Sequence, residues 1–297
     1  MAMKKKIAVI GVGGVGSLYA YQLARAGHDV TVVARPGSVR LEQLQRERAI
    51  LRDTGECAPV SVASELDEQA VFDLVIVTTL SHQVDALLPT LDRSKAKCVH
   101  FMFNNFEPER LRDALGADRC SFGLPFVMAN VDLHGKLDAK IGAGQKTLHG
   151  DRRWAKLFVA AGIPSSYEEE MTLWLRCHVP LCIAFESIAV AGQRRGGGAS
   201  WAEAMRVARG LQGGFAILAS LGYRLYPSAK SFLAHAPVFF IAAMLWTMSR
   251  ISSFRELLAT GANECRALVD AIVSAAETAK APLPEAIAAL RMLKPAA

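Results

Sequence analysis

No C-x-x-C pair and no cysteine–histidine spacing suited to zinc occurs among the six cysteines, Cys57, Cys98, Cys120, Cys177, Cys182 and Cys265. Zinc-ribbon and thioredoxin-like chemistry are thereby excluded, and the thiols read as reduced, mostly buried small hydrophobes. His28, His82, His100, His134, His149 and His235 show no ligand spacing either. Long apolar runs are missing: residues 236–248 fall short of the about 20 residues that a membrane helix needs and read as a buried core helix. Lys4, Lys5 and Lys6 before an apolar run resemble a secretory signal, but that run is short and broken by glycine, so a cytoplasmic protein is expected. Charge is sparse as well. The net charge is +6 and the one compact basic loop, residues 193–198, has no aromatic residues interleaved, so neither nucleic acid nor membrane is indicated as a partner. A mild positive excess suits an anionic cofactor and an acidic substrate. With 297 residues and 52% hydrophobic composition, the chain can fill two domains.

What is present is a glycine cluster in a telling context. Residues 7–16 read Ile-Ala-Val-Ile-Gly-Val-Gly-Gly-Val-Gly, followed by a helix-like segment and a second β-rich run at residues 30–34. A G-x-G-x-x-G on a strand-to-helix turn is a dinucleotide-binding fingerprint. Gly11 allows the tight turn, Gly13 lets a pyrophosphate approach the backbone and Gly16 permits close helix–strand packing, while the helix N-terminus offers N–H groups and a positive dipole end. The cofactor residues expected are Gly11, Val12, Gly13, Gly14, Val15 and Gly16.

The second β-rich run lacks an acid at its tip, where NAD enzymes place the group that accepts from the ribose 2′-hydroxyl. Asp29 precedes the run, and Arg35 follows it, with Arg40 a little beyond. A guanidinium fork grips a 2′-phosphate, so the expected cofactor is NADP.

Short apolar runs at residues 7–10, 30–34, 74–78 and 98–103, with helix-like segments at 81–91 and 107–115, predict a parallel sheet covered on both faces. Residues 122–148 alternate in short segments around turns at 132–135 and 142–144, consistent with strands that extend the sheet. From about residue 167 the pattern becomes helical: 173–191, 200–221, 228–248, 264–280 and 285–293, with breaks that include Pro227, Gly261 and Pro282. The fold class expected is α/β, a doubly wound Rossmann-type NADP-binding domain at residues 1–168 followed by an all-helical substrate or dimerisation domain at 169–297.

These features resemble the ketopantoate reductase (2-dehydropantoate 2-reductase) family over nearly the whole length. The glycine turn with Arg35 is similar to that family's NADP fingerprint, and Asn104-Asn105-Phe106 is similar to its Gln-Asn-Gly turn. The resemblance implies that Asn105 contacts cofactor and substrate. Ser252-Ser253-Phe254 and the segment through Gly261 to Glu264 resemble its Ser-Ser-Met and Gly-Arg-x-Thr-Glu motifs. By this resemblance Glu264 takes the active-site glutamate's role and Ser252 or Ser253 contacts the substrate carboxylate. The function implied is reduction of a small 2-oxo acid to a 2-hydroxy acid by NADPH. The partners implied are that small molecule and, at most, a second copy of the chain.

The family's Trp-x-Lys-x-x-x-Asn-x-x-x-Asn motif reads differently here. Trp174 is followed by Arg176, Pro180 and Ala184, and the lysine of the fourth strand is replaced at Thr79 or Leu80. Hydride addition to a carbonyl leaves an alkoxide that needs a proton, which a lysine with a lowered pKa can give. Arginine stays charged and serves as a clamp instead, so Arg176 is expected to orient substrate, paired with Glu264. His178 is the nearest titratable donor. On an uninterrupted helix it points about 200° from Arg176, so its sharing the site requires the helix to begin near Pro180; otherwise it is a histidine bonded to a carbonyl at the helix start. Glu186 is either a polar intrusion near the cleft or an ordinary solvated residue. Two other functions stay open: reduction of a different carbonyl or imine, and a dinucleotide-binding sensor or assembly protein with little catalysis.

Overall fold

The four apolar residues 7–10 are all buried, as a strand covered on both faces requires, and they form the centre of β1 (Lys6–Ile10). The computed structural model describes residues 3–141, 146–258, 261–277, 279 and 283–295, with residue 257 by its backbone only. The turn expected at 142–144 and the break at Pro282 lie outside the described residues. The chain divides into two compact units. One comprises residues 1–103 and 108–172, the other residues 104–107 and 173–297.

In the first unit the strands after β1 are β2 (Asp29–Val33), β3 (Ala49–Arg52), β4 (Cys57–Pro59), β5 (Ser61–Ala63), β6 (Leu74–Val77), β7 (Val99–Met102), β8 (Cys120–Leu124), β9 (Met128–Val131), β10 (Lys136–Lys140), β11 (Thr147–His149) and β12 (Ser165–Tyr167). Its helices are α1 (Gly14–Arg25), α2 (Val39–Glu47), α3 (Leu88–Arg93), α4 (Pro108–Leu115) and α5 (Arg152–Ala160). Eight strands form one sheet in the order β12-β11-β8-β7-β6-β1-β2-β5. Every pairing is parallel except β8 with β11. The chain runs outward from β1 to β2 and returns to β6 on β1's other side, which creates the reversal of strand order where open α/β sheets bind ligands.

Two expectations need correction here. Residues 122–148 do not all extend the main sheet: β9 and β10 join β3 and β4 in a second, four-stranded sheet, and α1 packs against both sheets. The helix expected at 81–91 is a 3₁₀ turn at Ser81–Gln83 followed by α3. Pro89 is the cause, since proline is accepted only in a first helical turn.

The second unit is helical: α6 (Met171–Arg194), α7 (Trp201–Ser220), α8 (Ser228–His235), α9 (Val238–Met248), α10 (Ser252–Leu258), α11 (Ala262–Glu277) and α12 (Pro284–Arg291). The single helix expected at 228–248 is two helices bent by 112°, because Pro237 interrupts the ladder and becomes the N-cap of α9. The start near Pro180 that a shared Arg176–His178 site required is absent, for the helix expected over 173–191 is continuous through Pro180. Gly214 of α7 explains its tolerance: a Cβ there would sit 2.9 Å from the Pro180 Cβ, so the glycine makes room for the ring in the core. By length and hydropathy α6 alone among the described helices could span a membrane, yet 72% of that window is buried.

Candidate active site

At the end of β1 the backbone enters the left-handed region at Gly11, φ +91°, and a Cβ there would lie 2.8 Å from the Thr79 amide. Gly16 is equally constrained, its Cβ position falling 2.3 Å from the Gly11 carbonyl oxygen. Gly14 turns out to be a packing residue: its Cβ position is 2.1 Å from the Ala129 carbonyl of β9. Gly13 alone faces open space, with no atom within 4 Å of where a Cβ would stand. It is the N-cap of α1, whose first turn has neither a capping side chain nor an acidic residue. The first-turn N–H groups are thus left to an anion. Val12 is buried beneath the turn and Val15 packs on the core from the first turn of α1.

Around this turn opens a cavity of about 1280 Å³ lined by Gly11, Gly13, Arg35, Arg40 and Thr79 among others. Arg35 is exposed at the tip of β2, with no acid among the residues lining the cavity nearby on β2. Arg40, which lines the cavity, is also tied into the turn. It donates from Nε to the Val12 carbonyl (3.2 Å), from Nη1 to the Gly135 carbonyl (2.9 Å) and from Nη2 to Ser17 Oγ (2.9 Å). Those bonds hold the glycine turn in shape. The Thr78 hydroxyl adds a further bond to the Gly11 carbonyl, 2.7 Å. The buried Thr79 Oγ1 has no hydrogen-bond partner among the described residues. Open space over Gly13, uncapped amides and an exposed guanidinium at the β2 tip together fit a dinucleotide.

The second unit carries its own polar cluster. Residues 104–107 belong to it rather than to the sheet they follow. Asn104 Nδ2 donates to Glu264 Oε1 at 2.9 Å, and the Cys182 thiol donates to Asn104 Oδ1 at 3.0 Å. Asn105 is buried; its Oδ1 accepts from the Glu107 amide (3.0 Å), while Nδ2 has no partner among the described residues. Arg176, 4% exposed, donates from Nε to the Phe106 carbonyl (3.1 Å) and stacks 4.1 Å above the Tyr223 ring. Ser252 and Ser253 are exposed in the first turn of α10.

His178 lies on the same unbroken helix as Arg176, two residues on, and so faces away from it. Its ring stacks on Trp174 with centroids 4.5 Å apart. Burial, and then the charge of Lys230, pull its pKa down to about 3. The Lys230 ammonium lies 3.7 Å over the Trp174 ring and donates to the Trp174 carbonyl at 2.8 Å. Nothing local to residue 230 signals this, because the two residues are 56 positions apart.

Glu186 is also buried, 5% exposed, and its Oε2 has no partner among the described residues. Burial, and then the charge of Glu264, push its carboxyl up to about 9. The polar stripe of α6 is therefore His178, Cys182 and Glu186, at four-residue spacing. Pro180 and Ala184 are buried with the apolar core. The i, i+4, i+8 polar pattern lies two residues beyond the register of the Trp174 motif.

Residues 7–151 match the family model described as "Ketopantoate reductase PanE/ApbA". Comparison with curated proteins returns no match. Among solved structures, the PanE/ApbA family ketopantoate reductase from Ralstonia eutropha JMP134 is 22% identical, with 97% of each chain covered and a TM-score of 0.73. The 2-dehydropantoate 2-reductase from Methylococcus capsulatus is 21% identical over 97% of this chain and 96% of that one, TM-score 0.70. A D-mandelate dehydrogenase with NADH and anilino(oxo)acetate is 14% identical over 97% and 96%, TM-score 0.69. At such identities the likeness is one of fold. Residues 7–151 thus resemble the ketopantoate reductase family's model, and over its length the chain has the fold of these solved structures.

Proposed function

We propose that the chain is an NADP(H)-dependent reductase of a small 2-oxo acid whose side chain is more apolar than that of ketopantoate. The observation that carries this reading is the glycine turn in which Gly13 alone faces open space, beside a β2 tip that bears Arg35 and no acid. When bound, the reduced nicotinamide supplies the hydride. The α1 N-terminus holds the pyrophosphate, and Arg35 grips the 2′-phosphate. Arg176 is the clamp for a carboxylate or a developing alkoxide, Ser252 and Ser253 add contacts to the carboxylate, and Asn105 offers an amide N–H. Glu264, fixed by Asn104, handles the proton. His178 is neutral at physiological pH and stays outside that step.

The altered substrate rests on α6. Pro180 and Ala184 have no side-chain donor for a substrate hydroxyl, and a site built without such partners favours apolar groups. The fold of a D-mandelate dehydrogenase solved with NADH makes the choice of cofactor a question to measure. Calorimetric titration with NADPH and NADH tests it: tighter NADPH binding that is lost in Arg35→Ala supports the reading, and equal affinities in the unmodified chain contradict it. Six free thiols are in keeping with a reducing cytoplasm.

A further inference from the structure

An arginine is a clamp and a poor proton donor, and burial keeps His178 neutral, without the imidazolium proton. Carbonyl reduction nevertheless consumes one proton for each hydride. Within the second unit, Glu186 is a buried carboxyl whose Oε2 has no hydrogen-bond partner among the described residues, a costly condition unless the group has a use. Its location is specific. Gly261, immediately before α11, leaves the room that the carboxyl occupies: a Cβ at residue 261 would lie 2.8 Å from Glu186 Cδ. Glu264 stands in the first turn of α11 and accepts from Asn104, which in turn receives the Cys182 thiol one turn before Glu186 on α6.

We propose that Glu186 stores the proton that Glu264 delivers in carbonyl reduction: the two carboxyl groups, Glu186 buried on α6 and Glu264 half-buried on α11, hold a single proton between them. Two carboxylates in one desolvated site cannot both ionise cheaply, so such a pair retains a proton well above the usual carboxylate range. The direction of the Glu186 shift, caused by burial and by Glu264, agrees. The other titratable groups facing the pair are the thiols of Cys182 and Cys265, both held protonated by burial, with Lys230 acting on Cys182 and Arg266 on Cys265 from farther away. Neither thiol competes for the role at neutral pH.

In the step itself, the carbonyl carbon gains a hydride with its two electrons, from reduced nicotinamide, and the C=O π pair moves onto oxygen. That oxygen takes the shared proton through Glu264. One carboxyl O–H bond breaks, one alcohol O–H bond forms, and the pair is left doubly ionised until water returns a proton. Glu186 thus acts through Glu264 as a positioning and proton-holding residue. The inference rests on the reductase reading, but the proton itself can be measured without turnover.

The first measurement is infrared titration of the ligand-free protein. A protonated carboxyl stretch should be present at neutral pH, be absent in Glu186→Gln, and titrate at lower pH in Glu264→Gln, where the like charge is gone. Absence of that band, or a titration indifferent to Glu264→Gln, overturns the proposal. The second measurement is the pH profile of kcat with NADPH and a 2-oxo acid panel of pyruvate, 2-oxobutyrate, 2-oxoisovalerate and phenylpyruvate. Glu186→Gln should lower kcat about 100-fold at neutral pH and abolish the alkaline limb without changing the NADPH Kd, and Glu186→Asp should restore part of it. A limb that moves with Lys230→Met and not with Glu186→Gln assigns the proton elsewhere and refutes the claim. If the unmodified chain turns over no 2-oxo acid, the reductase reading falls, and the infrared titration alone decides whether the acid pair exists.

Discussion

Gly13 and Gly14 are neighbours held for opposite reasons. The backbone at Gly13, with φ −77°, accepts an L-residue, and the space above it is open; only the bound pyrophosphate would fill it. Gly13→Val should therefore leave the thermal midpoint unchanged while abolishing NADPH binding in a fluorescence titration. Gly14→Ala should do the reverse first. Its added methyl meets the Ala129 carbonyl of β9, and overpacking of that kind costs about 1 to 3 kcal/mol, measurable by guanidine denaturation. A Gly13→Val protein that binds NADPH normally would place the phosphates elsewhere. The two arginines are separable in the same way. Arg35→Ala should weaken NADPH roughly tenfold or more, the loss of a charged hydrogen bond, and leave NADH affinity as it was. Arg40→Ala should weaken both cofactors alike, because its bonds to Val12, Ser17 and Gly135 shape the turn. The sequence spacing could identify the tight approaches at Gly11 and Gly16, since the turn itself sets them. It could not identify the packing of Gly14 on Ala129 or the bond from Arg40 to Gly135, 95 residues away, because both depend on the distant β9–β10 segment.

At the scale of the element, α6 shows where local pattern and tertiary packing part. Proline at residue 180 admits a helix start there as one alternative, yet the helix passes through it, and Gly214 of α7 leaves space for the ring. The consequence is that Arg176 and His178 diverge, while His178, Cys182 and Glu186 align. A motif read from Trp174 directs attention to Pro180 and Ala184 and passes over the stripe that is polar. Arg176 is tied to the Phe106 carbonyl and to the Tyr223 ring, contacts that suit a planar guanidinium and not an ammonium. Arg176→Lys is expected to lower the unfolding midpoint and to give no rise in ketopantoate turnover, despite placing there the lysine of the motif that the segment resembles. A gain of ketopantoate activity in that variant would show that residue 176 alone sets the chemistry. The breaks at Pro89 and Pro237 carry the same lesson in milder form: periodicity marks the helices, and proline decides where they divide.

Across the whole molecule, the α/β-then-helical order was legible because buried strands and long helices leave different periodicities. The assignment of residues 104–107 to the helical unit was not, since no local property of Asn104 announces a bond to Glu264, 160 residues away. The same is true of His100 and His149. Their rings meet at 2.9 Å and continue to Ser121 and Ser165, linking β7, β8, β11 and β12. Burial lowers their pKa values to about 3 and about 2. In the unfolded chain both take up protons near pH 6.5, and in the folded protein they do not, so stability is present above pH 6.5 and falls as the pH drops from there toward 3. Each contributes about 1 kcal/mol per pH unit over that window. Guanidine midpoints should decline steadily between pH 7 and pH 4.5; a flat profile would contradict neutral burial of the pair.

The central claim, a nicotinamide-dependent reductase of 2-oxo acids with a rebuilt acid centre, is tested most directly by following NADPH oxidation against a panel that includes ketopantoate and 2-oxo acids with apolar side chains. The expected result is clear turnover of at least one apolar 2-oxo acid and weak turnover of ketopantoate. Efficient reduction of ketopantoate would contradict the altered specificity, and no oxidation of NADPH with any member of the panel would contradict the reductase itself.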